Sequence, residues 1–151
     1  MGFSAQEMTI EQAIESTGKC VCPTFGVSMQ PMLKQGRDSV VIVKKTERLD
    51  VGDVALYKRE DTLVLHRVIA VFEGGYVMRG DNTTASETVL EDDVIGVLTE
   101  FFQGDKHISV YDKNYLKYVK KRLKNHKIRV FFERIRERLG LIKNSLFKGK
   151  K

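Results

Sequence analysis

A serine, a histidine and an aspartate in this 151-residue sequence have the side-chain types that acyl transfer needs. Ser28 stands in the segment "FGVSMQPML", His66 in the apolar segment "LVLHRVIAV", and Asp81 in "MRGDNTT". A serine hydroxyl is a weak nucleophile near neutral pH, so it needs a base within hydrogen-bond reach and a third group that orients the base. We therefore take Ser28, His66 and Asp81 as a candidate nucleophile, base and orienting acid.

Each of these three residues also has a structural interpretation. A serine close to a glycine is common in turns, and so is the sequence "GDN" that contains Asp81. A histidine within an apolar strand is more often a buried residue whose ring is hydrogen-bonded for stability. The other histidines, His107 and His126, lie beside a turn and in a lysine-rich junction, where we expect surface residues. His66 is therefore the candidate base.

The segment that must position these side chains has the pattern of a β domain. Apolar and polar residues alternate, β-branched residues are frequent, and turn sequences separate the runs. No part of it predicts a long helix, so the predicted fold class is mainly β, with mostly antiparallel strands. The predicted strands are Ser39–Lys45, Asp53–Arg59, Thr62–Phe72, Gly75–Gly80, Val94–Phe102 and Lys106–Asp112.

A short N-terminal helix is predicted before this domain. Thr9 and Gln12 have the spacing of a capping box, and Gly18 is suited to end the helix. The predicted organisation is thus a helix in residues 1–18, a β catalytic domain in residues 19–112, and a separate tail in residues 113–151.

The tail differs from the domain in charge and in pattern. Residues 113–151 contain 15 Lys and Arg against two Glu, a net charge of +13, whereas the first 112 residues carry a net charge of −7. The three-then-four spacing of its apolar residues predicts a basic amphipathic helix or helix pair. The stripe consists of Leu116, Val119, Leu123, Ile128, Phe132, Ile135, Leu139, Ile142 and Leu146.

Such a helix suits a membrane surface, a protein partner or the chain's own β domain. Nucleic acid is the least favoured partner, because the tail has charge but no recognition motif.

Cys20 and Cys22 form a single C-x-C pair, and the three histidines do not complete a zinc-binding spacing, so we predict no metal and no cofactor. The N-terminus lacks the features of a signal peptide and no segment predicts a membrane helix, so the expected location is the cytoplasm or, peripherally, the inner membrane surface.

Four segments occur in a fixed order between Phe25 and about Val97: "GVSMQPML", "DVGDVALYKR", "LVLHRVIAV" and "MRGDNT". This series resembles the boxes that mark the signal peptidase I family and its relatives among the self-cleaving SOS repressors. The resemblance covers about half of the chain. It implies the β fold of those proteins and the activity of a serine endopeptidase that cleaves a leader or signal segment from a polypeptide substrate.

The resemblance assigns Ser28 as the nucleophile and His66 as the general base. Bacterial-type signal peptidases and the SOS repressors carry a lysine at the position of the base, whereas the endoplasmic-reticulum and archaeal type carries a histidine. This sequence is similar to the histidine type. A histidine can act near its ordinary pKa, while a lysine must be desolvated before it loses its proton.

The resemblance leaves the orienting acid open between Asp81 and Glu87, six residues apart, and we favour Asp81. Gly26 stands where some relatives carry a serine that binds the oxyanion, so the backbone N–H of Ser28 becomes the expected donor. Met29 follows the nucleophile and is expected to shape the turn on the substrate side of the site.

Signal peptidases normally carry a membrane helix before the nucleophile, but only 27 residues precede Ser28 and they predict no such helix. The family's second β domain is not predicted either, because only 37 residues lie between Ser28 and His66. Two alternatives to the endopeptidase therefore stay open. One is a repressor-like regulator that cleaves itself, although no Ala-Gly or Cys-Gly bond is present. The other is a binding module that has the peptidase fold without the activity.

Overall fold

A computed structural model describes residues 8–125, 127, 135 and 138 of the chain. The chain divides into two compact units, Met1–Leu116 and Lys117–Lys151, and each is described by itself. All the candidate site residues belong to the first unit.

The first unit begins with the predicted helix, α1, at Ile10–Thr17. The capping box is present: the Thr9 hydroxyl accepts a hydrogen bond from the Gln12 N–H at 3.2 Å, and the Gln12 side chain accepts one from the Thr9 N–H at 2.9 Å. Gly18 follows with a φ of +80°, a left-handed conformation that favours glycine and ends the helix. The prediction of a short N-terminal helix is confirmed.

In the described part of the chain, eight strands form one curled antiparallel sheet, which confirms the mainly β fold class. The strands are β1 (Lys19–Pro23), β2 (Asp38–Lys44), β3 (Val54–Arg59), β4 (Thr62–Phe72), β5 (Gly75–Arg79), β6 (Glu87–Leu90), β7 (Val94–Gln103) and β8 (Lys106–Ser109). Their order in the sheet is β1-β2-β7-β3-β4-β5-β6, and β8 pairs with β7.

Five of the six predicted strands agree with the structure to within one residue at each end, and two differences from the prediction are larger. The last strand ends at Ser109 rather than Asp112, because a turn follows in which the Ser109 N–H donates to the Asp112 carboxylate at 2.9 Å. Strand β6 was not predicted, since "ETVL" is short and begins with a charged residue. This strand carries Glu87, so its omission left the position of Glu87 relative to His66 unpredicted.

The register of β3 to β6 places a set of residues on one face of the sheet. Ala55 pairs with His66, Val68 with Met78, and Met78 with Glu87. Because paired residues point to the same side of a sheet and residues two apart along a strand do so too, Tyr57 joins this face. The same face supplies part of a buried hydrophobic cluster, which contains Leu49, Ala55, Tyr57, Val68, Tyr76, Met78, Val89 and Val94.

The predicted C-terminal helix is present in the part of the tail that the structure describes. Residues 113–125 are helical, as are 127, 135 and 138. The predicted apolar positions Ile128, Phe132, Leu139, Ile142 and Leu146 lie outside the described residues. Among the described residues, no helix combines the length and the apolar character needed to cross a membrane.

Candidate active site

Ser28 lies in the loop between β1 and β2 and is half-buried. The start of this loop is tied to its end: the Thr24 hydroxyl lies 3.1 Å from the Lys34 carbonyl oxygen, and the Gly26 N–H donates to the Gln35 side chain at 2.8 Å. Met29 is buried directly after the serine. The sequence around Ser28 therefore builds a closed loop that is anchored on both sides of the hydroxyl.

A second loop, after β5, holds the serine from the other side. The Asn82 N–H donates to the Ser28 carbonyl oxygen at 2.7 Å, and the Asn82 side-chain amide donates to the Val27 carbonyl oxygen at 3.2 Å. The turn "GDN", which is ordinary as a sequence, thus fixes the backbone of Ser28 to the end of the strand beside His66.

Gly80 lies next to both Ser28 and His66. Arg67 pairs with Arg79 across β4 and β5, so the next pair in this register would be His66 and Gly80. A Cβ placed on Gly80 would lie 2.6 Å from the Ser28 carbonyl oxygen, 3.0 Å from the Ser28 Cβ and 3.1 Å from the His66 Nε2. The Ser28 Cβ and the His66 Nε2 therefore both border the position that a side chain at residue 80 would occupy.

The other ring nitrogen of His66 faces two oxygen atoms. His66 is buried, and its Nδ1 lies 3.0 Å from the Tyr57 hydroxyl and 3.3 Å from the Glu87 Oε1. The Tyr57 hydroxyl also hydrogen-bonds to Glu87, and the Arg59 guanidinium donates through its Nε to the Glu87 Oε2 at 2.8 Å. His66 is thus positioned between Ser28 on its Nε2 side and a Tyr57–Glu87–Arg59 group on its Nδ1 side.

Burial is the main influence on the charge of His66. It lowers the pKa of His66 below the ordinary value of 6.5, and the Arg59 charge acts in the same direction, while the carboxylates of Glu87 and Asp81 act against it. Burial works to raise the pKa of Glu87, but hydrogen bonds from Arg59 and Tyr57 outweigh it and hold that pKa below its usual range. Near neutral pH the site therefore contains a neutral imidazole beside an ionised carboxylate.

Asp81 has a different position from the one that the sequence analysis favoured. Its carboxylate accepts hydrogen bonds from the Arg67 Nε at 2.8 Å and Nη2 at 2.7 Å, and both side chains are almost fully buried. Arg67 also donates to the Gly52 carbonyl oxygen at 2.8 Å and to the Tyr115 hydroxyl at 3.2 Å. Asp81 thus braces the loop through Arg67, and the acid at the Nδ1 of His66 is Glu87.

Glu87 rather than Asp81 lies beside His66 because of where β5 ends. The strand stops at Arg79, so Asp81 lies in the turn that follows, whereas Glu87 is in register with Met78 on the face that contains His66. The choice between two acids six residues apart depends on this pairing, which involves the short strand β6.

Exchanging each acid for its amide is expected to separate the two roles. Asp81→Asn leaves the buried Arg67 charge without its carboxylate, which should lower the free energy of unfolding by about 3–5 kcal/mol in chemical denaturation. Glu87→Gln removes a partly exposed ion pair, so its effect on stability should stay below about 1 kcal/mol. A large loss of stability in Glu87→Gln with little in Asp81→Asn would contradict this assignment.

A cleft of about 640 Å³ opens beside the serine and the histidine. Gly26 and Met29, both predicted to lie on the substrate side of the site, line it together with Ser28, His66 and Glu87. Most of the remaining surface is apolar and comes from Ile10, Pro23, Phe25, Leu33, Val40, Ile42, Leu56, Leu63, Val64 and Leu65.

Sequence reasoning missed Gly80, Tyr57 and Arg59. Tyr57 and Arg59 lie two residues apart in a predicted strand, so a common face was predictable, but nothing in the sequence indicated that it faced His66. Gly80 was interpreted only as part of a turn. Within the described residues, no three His, Cys, Asp or Glu side chains come together as a metal site.

Comparison with known proteins gave no assignment. No protein-family model matches the chain. No curated protein matches it at a significant level.

Proposed function

We propose that the chain is a serine endopeptidase of the signal peptidase type, which cleaves a leader or signal segment from a polypeptide. The observation that carries the proposal is the approach of the Ser28 Cβ and the His66 Nε2 to the same point beside Gly80. A serine and a histidine that border the same position, with a carboxylate on the far side of the imidazole, have an arrangement from which acyl transfer can proceed.

In this mechanism His66 takes the hydroxyl proton on Nε2 as the Ser28 oxygen attacks the scissile carbonyl. The imidazolium then gives this proton to the leaving amine, and an acyl-enzyme stays on Ser28. A water, deprotonated by the same nitrogen, hydrolyses the ester. Glu87 stabilises the imidazolium in both steps from 3.3 Å away, and the backbone N–H of Ser28 is the proposed donor to the oxyanion.

The cleft supports a polypeptide substrate with apolar side chains. Its walls are mainly apolar, and β1, which contributes Cys22 and Pro23 to the cleft, is an edge strand of the sheet. The resemblance to signal peptidases adds an expectation of small residues just before the cleaved bond. We still predict that residues 113–151 act at a membrane surface or on a partner. The predicted location is the cytoplasm or the inner membrane surface.

Digestion of a library of leader-like peptides, with the products identified by mass spectrometry, tests the proposal. We expect cleavage whose kcat/KM falls as the pH is lowered, because protonated His66 cannot accept the serine proton. The inflection should lie below 6.5, since burial lowers the pKa of His66. An activity without this acid limb would contradict His66 as the base.

The same experiment includes the chain incubated without peptide. Intact mass is expected to be unchanged over the time in which the library is cleaved. Fragments of the chain itself, with the library intact, would favour the self-cleaving regulator over the endopeptidase.

A further inference from the structure

Tyr57 is the one aromatic residue whose polar atom contacts both His66 and Glu87 among the described residues. Its side chain is 1% exposed, so the hydroxyl must be satisfied within the protein. The oxygen lies 3.0 Å from the His66 Nδ1, is bonded to the Glu87 Oε1, and lies 3.4 Å from the Arg59 Nη2. Three groups of different chemistry therefore compete for one proton and two lone pairs.

The chemistry of the partners determines where that proton lies. Arg59 can only donate, and an ionised Glu87 can only accept. Burial and the neighbouring carboxylate raise the pKa of the Tyr57 hydroxyl, so it keeps its proton. The hydroxyl must donate to Glu87, and its oxygen is then an acceptor toward His66.

An acceptor at 3.0 Å from Nδ1 requires a proton on Nδ1. The Glu87 Oε1, at 3.3 Å from the same nitrogen, is also an acceptor and therefore also favours a proton on Nδ1. A neutral imidazole has only one ring proton, so a proton on Nδ1 leaves a lone pair on Nε2, the nitrogen beside Ser28.

We propose that Tyr57 is a positioning residue, which selects the tautomer of His66 that can accept a proton from Ser28. It connects the imidazole to Glu87, whose oxygens are also held by Arg59, and its ring lies beside the imidazole at 6.0 Å between centroids. The consequence for catalysis rests on the proposed function, but the effect on the tautomer does not.

The charged and titratable groups that act on the His66 ring come from three parts of the chain. Tyr57 and Arg59 belong to β3, Glu87 to β6, and Asp81 to the loop after β5. Removing the Tyr57 hydroxyl changes none of their charges. A change in the tautomer of His66 after that removal would therefore report the lost hydrogen bond rather than a changed charge.

Nitrogen-15 NMR of the imidazole measures the tautomer without substrate. In the wild type, well above the pKa of His66, we expect a protonated Nδ1 and an unprotonated Nε2, assigned by comparison with His66→Gln. In Tyr57→Phe we expect a mixture of both tautomers and a fall of about tenfold to a hundredfold in kcat, with KM little changed. A wild-type imidazole protonated on Nε2 would overturn the proposal even if the variant does not fold.

Tyr76→Phe is the matched control. Tyr76 is as buried as Tyr57 and belongs to the same core, but its hydroxyl bonds to Glu91 at 2.9 Å and to the Leu49 N–H at 3.2 Å. We expect this variant to keep the wild-type tautomer. An equal change in both variants, or an unchanged tautomer in Tyr57→Phe, would overturn the role of Tyr57. A shifted tautomer in a protein that cleaves no peptide would support Tyr57 and contradict the proposed function.

Discussion

Replacing His66 by glutamine is expected to lower kcat/KM for peptide cleavage by at least about a thousandfold. A glutamine amide can fill part of the space beside Ser28 and accept a hydrogen bond, but it cannot take up a proton. The serine would then attack without a base, and the leaving amine would depart without an acid. Steady-state kinetics on a cleaved library peptide measures the loss.

His107→Gln is the control for this variant. His107 lies on β8, where its Nε2 contacts the exposed Glu100 at 2.6 Å, and it does not line the cleft. Its activity should equal that of the wild type within about twofold. Similar losses in the two variants would show that histidine removal acts through general destabilisation.

A methyl group on Gly80 is expected to reduce activity by about a hundredfold or more. In Gly80→Ala the new Cβ would lie 2.6 Å from the Ser28 carbonyl oxygen, a backbone atom, and would press on the Ser28 Cβ and the His66 Nε2. The backbone or side chains around the methyl group must shift, and the nearest groups belong to Ser28 and His66, the proposed nucleophile and base. Overpacking of this kind also costs about 1–3 kcal/mol of stability, measurable by denaturant unfolding.

Gly104→Ala separates the loss of stability from the loss of geometry. A Cβ on Gly104 meets nothing within 4 Å, but its φ of +60° makes an alanine there unfavourable by about 1–2 kcal/mol. Gly104 does not line the cleft, so this variant should lose stability and keep its activity. If Gly80→Ala were as active as Gly104→Ala, the proposed meeting of Ser28 and His66 at Gly80 would be wrong.

The sequence predicts the fold well where local signals are strong. The capping box of Thr9 and Gln12 and the glycine at position 18 determine α1 locally, so the predicted helix agrees with the structure. Long alternating runs such as Thr62–Phe72 give strand β4 with the predicted bounds. The short strand β6 escapes prediction because its four residues carry little local signal and its place depends on pairing with β5 across the intervening loop.

The same limit explains the errors in the site. The residue types of Ser28 and His66 suggested a nucleophile and a base, and the structure places both beside Gly80. We favoured Asp81 over Glu87 because the sequence does not show that Arg67, a buried arginine adjacent to His66, binds Asp81. Alternate residues of a strand face opposite sides, so His66 and Arg67 direct the two acids to different roles.

Covalent labelling tests the central claim, that Ser28 is a nucleophile activated by His66. The wild-type protein, treated with a serine-directed acylating reagent, should gain the mass of one acyl group, located on Ser28 by peptide mapping. Ser28→Ala should gain none, and His66→Gln should react at least about a hundredfold more slowly. Labelling of Ser28 at equal rates with and without His66, or no labelling of Ser28 in a folded wild-type protein, would contradict the claim.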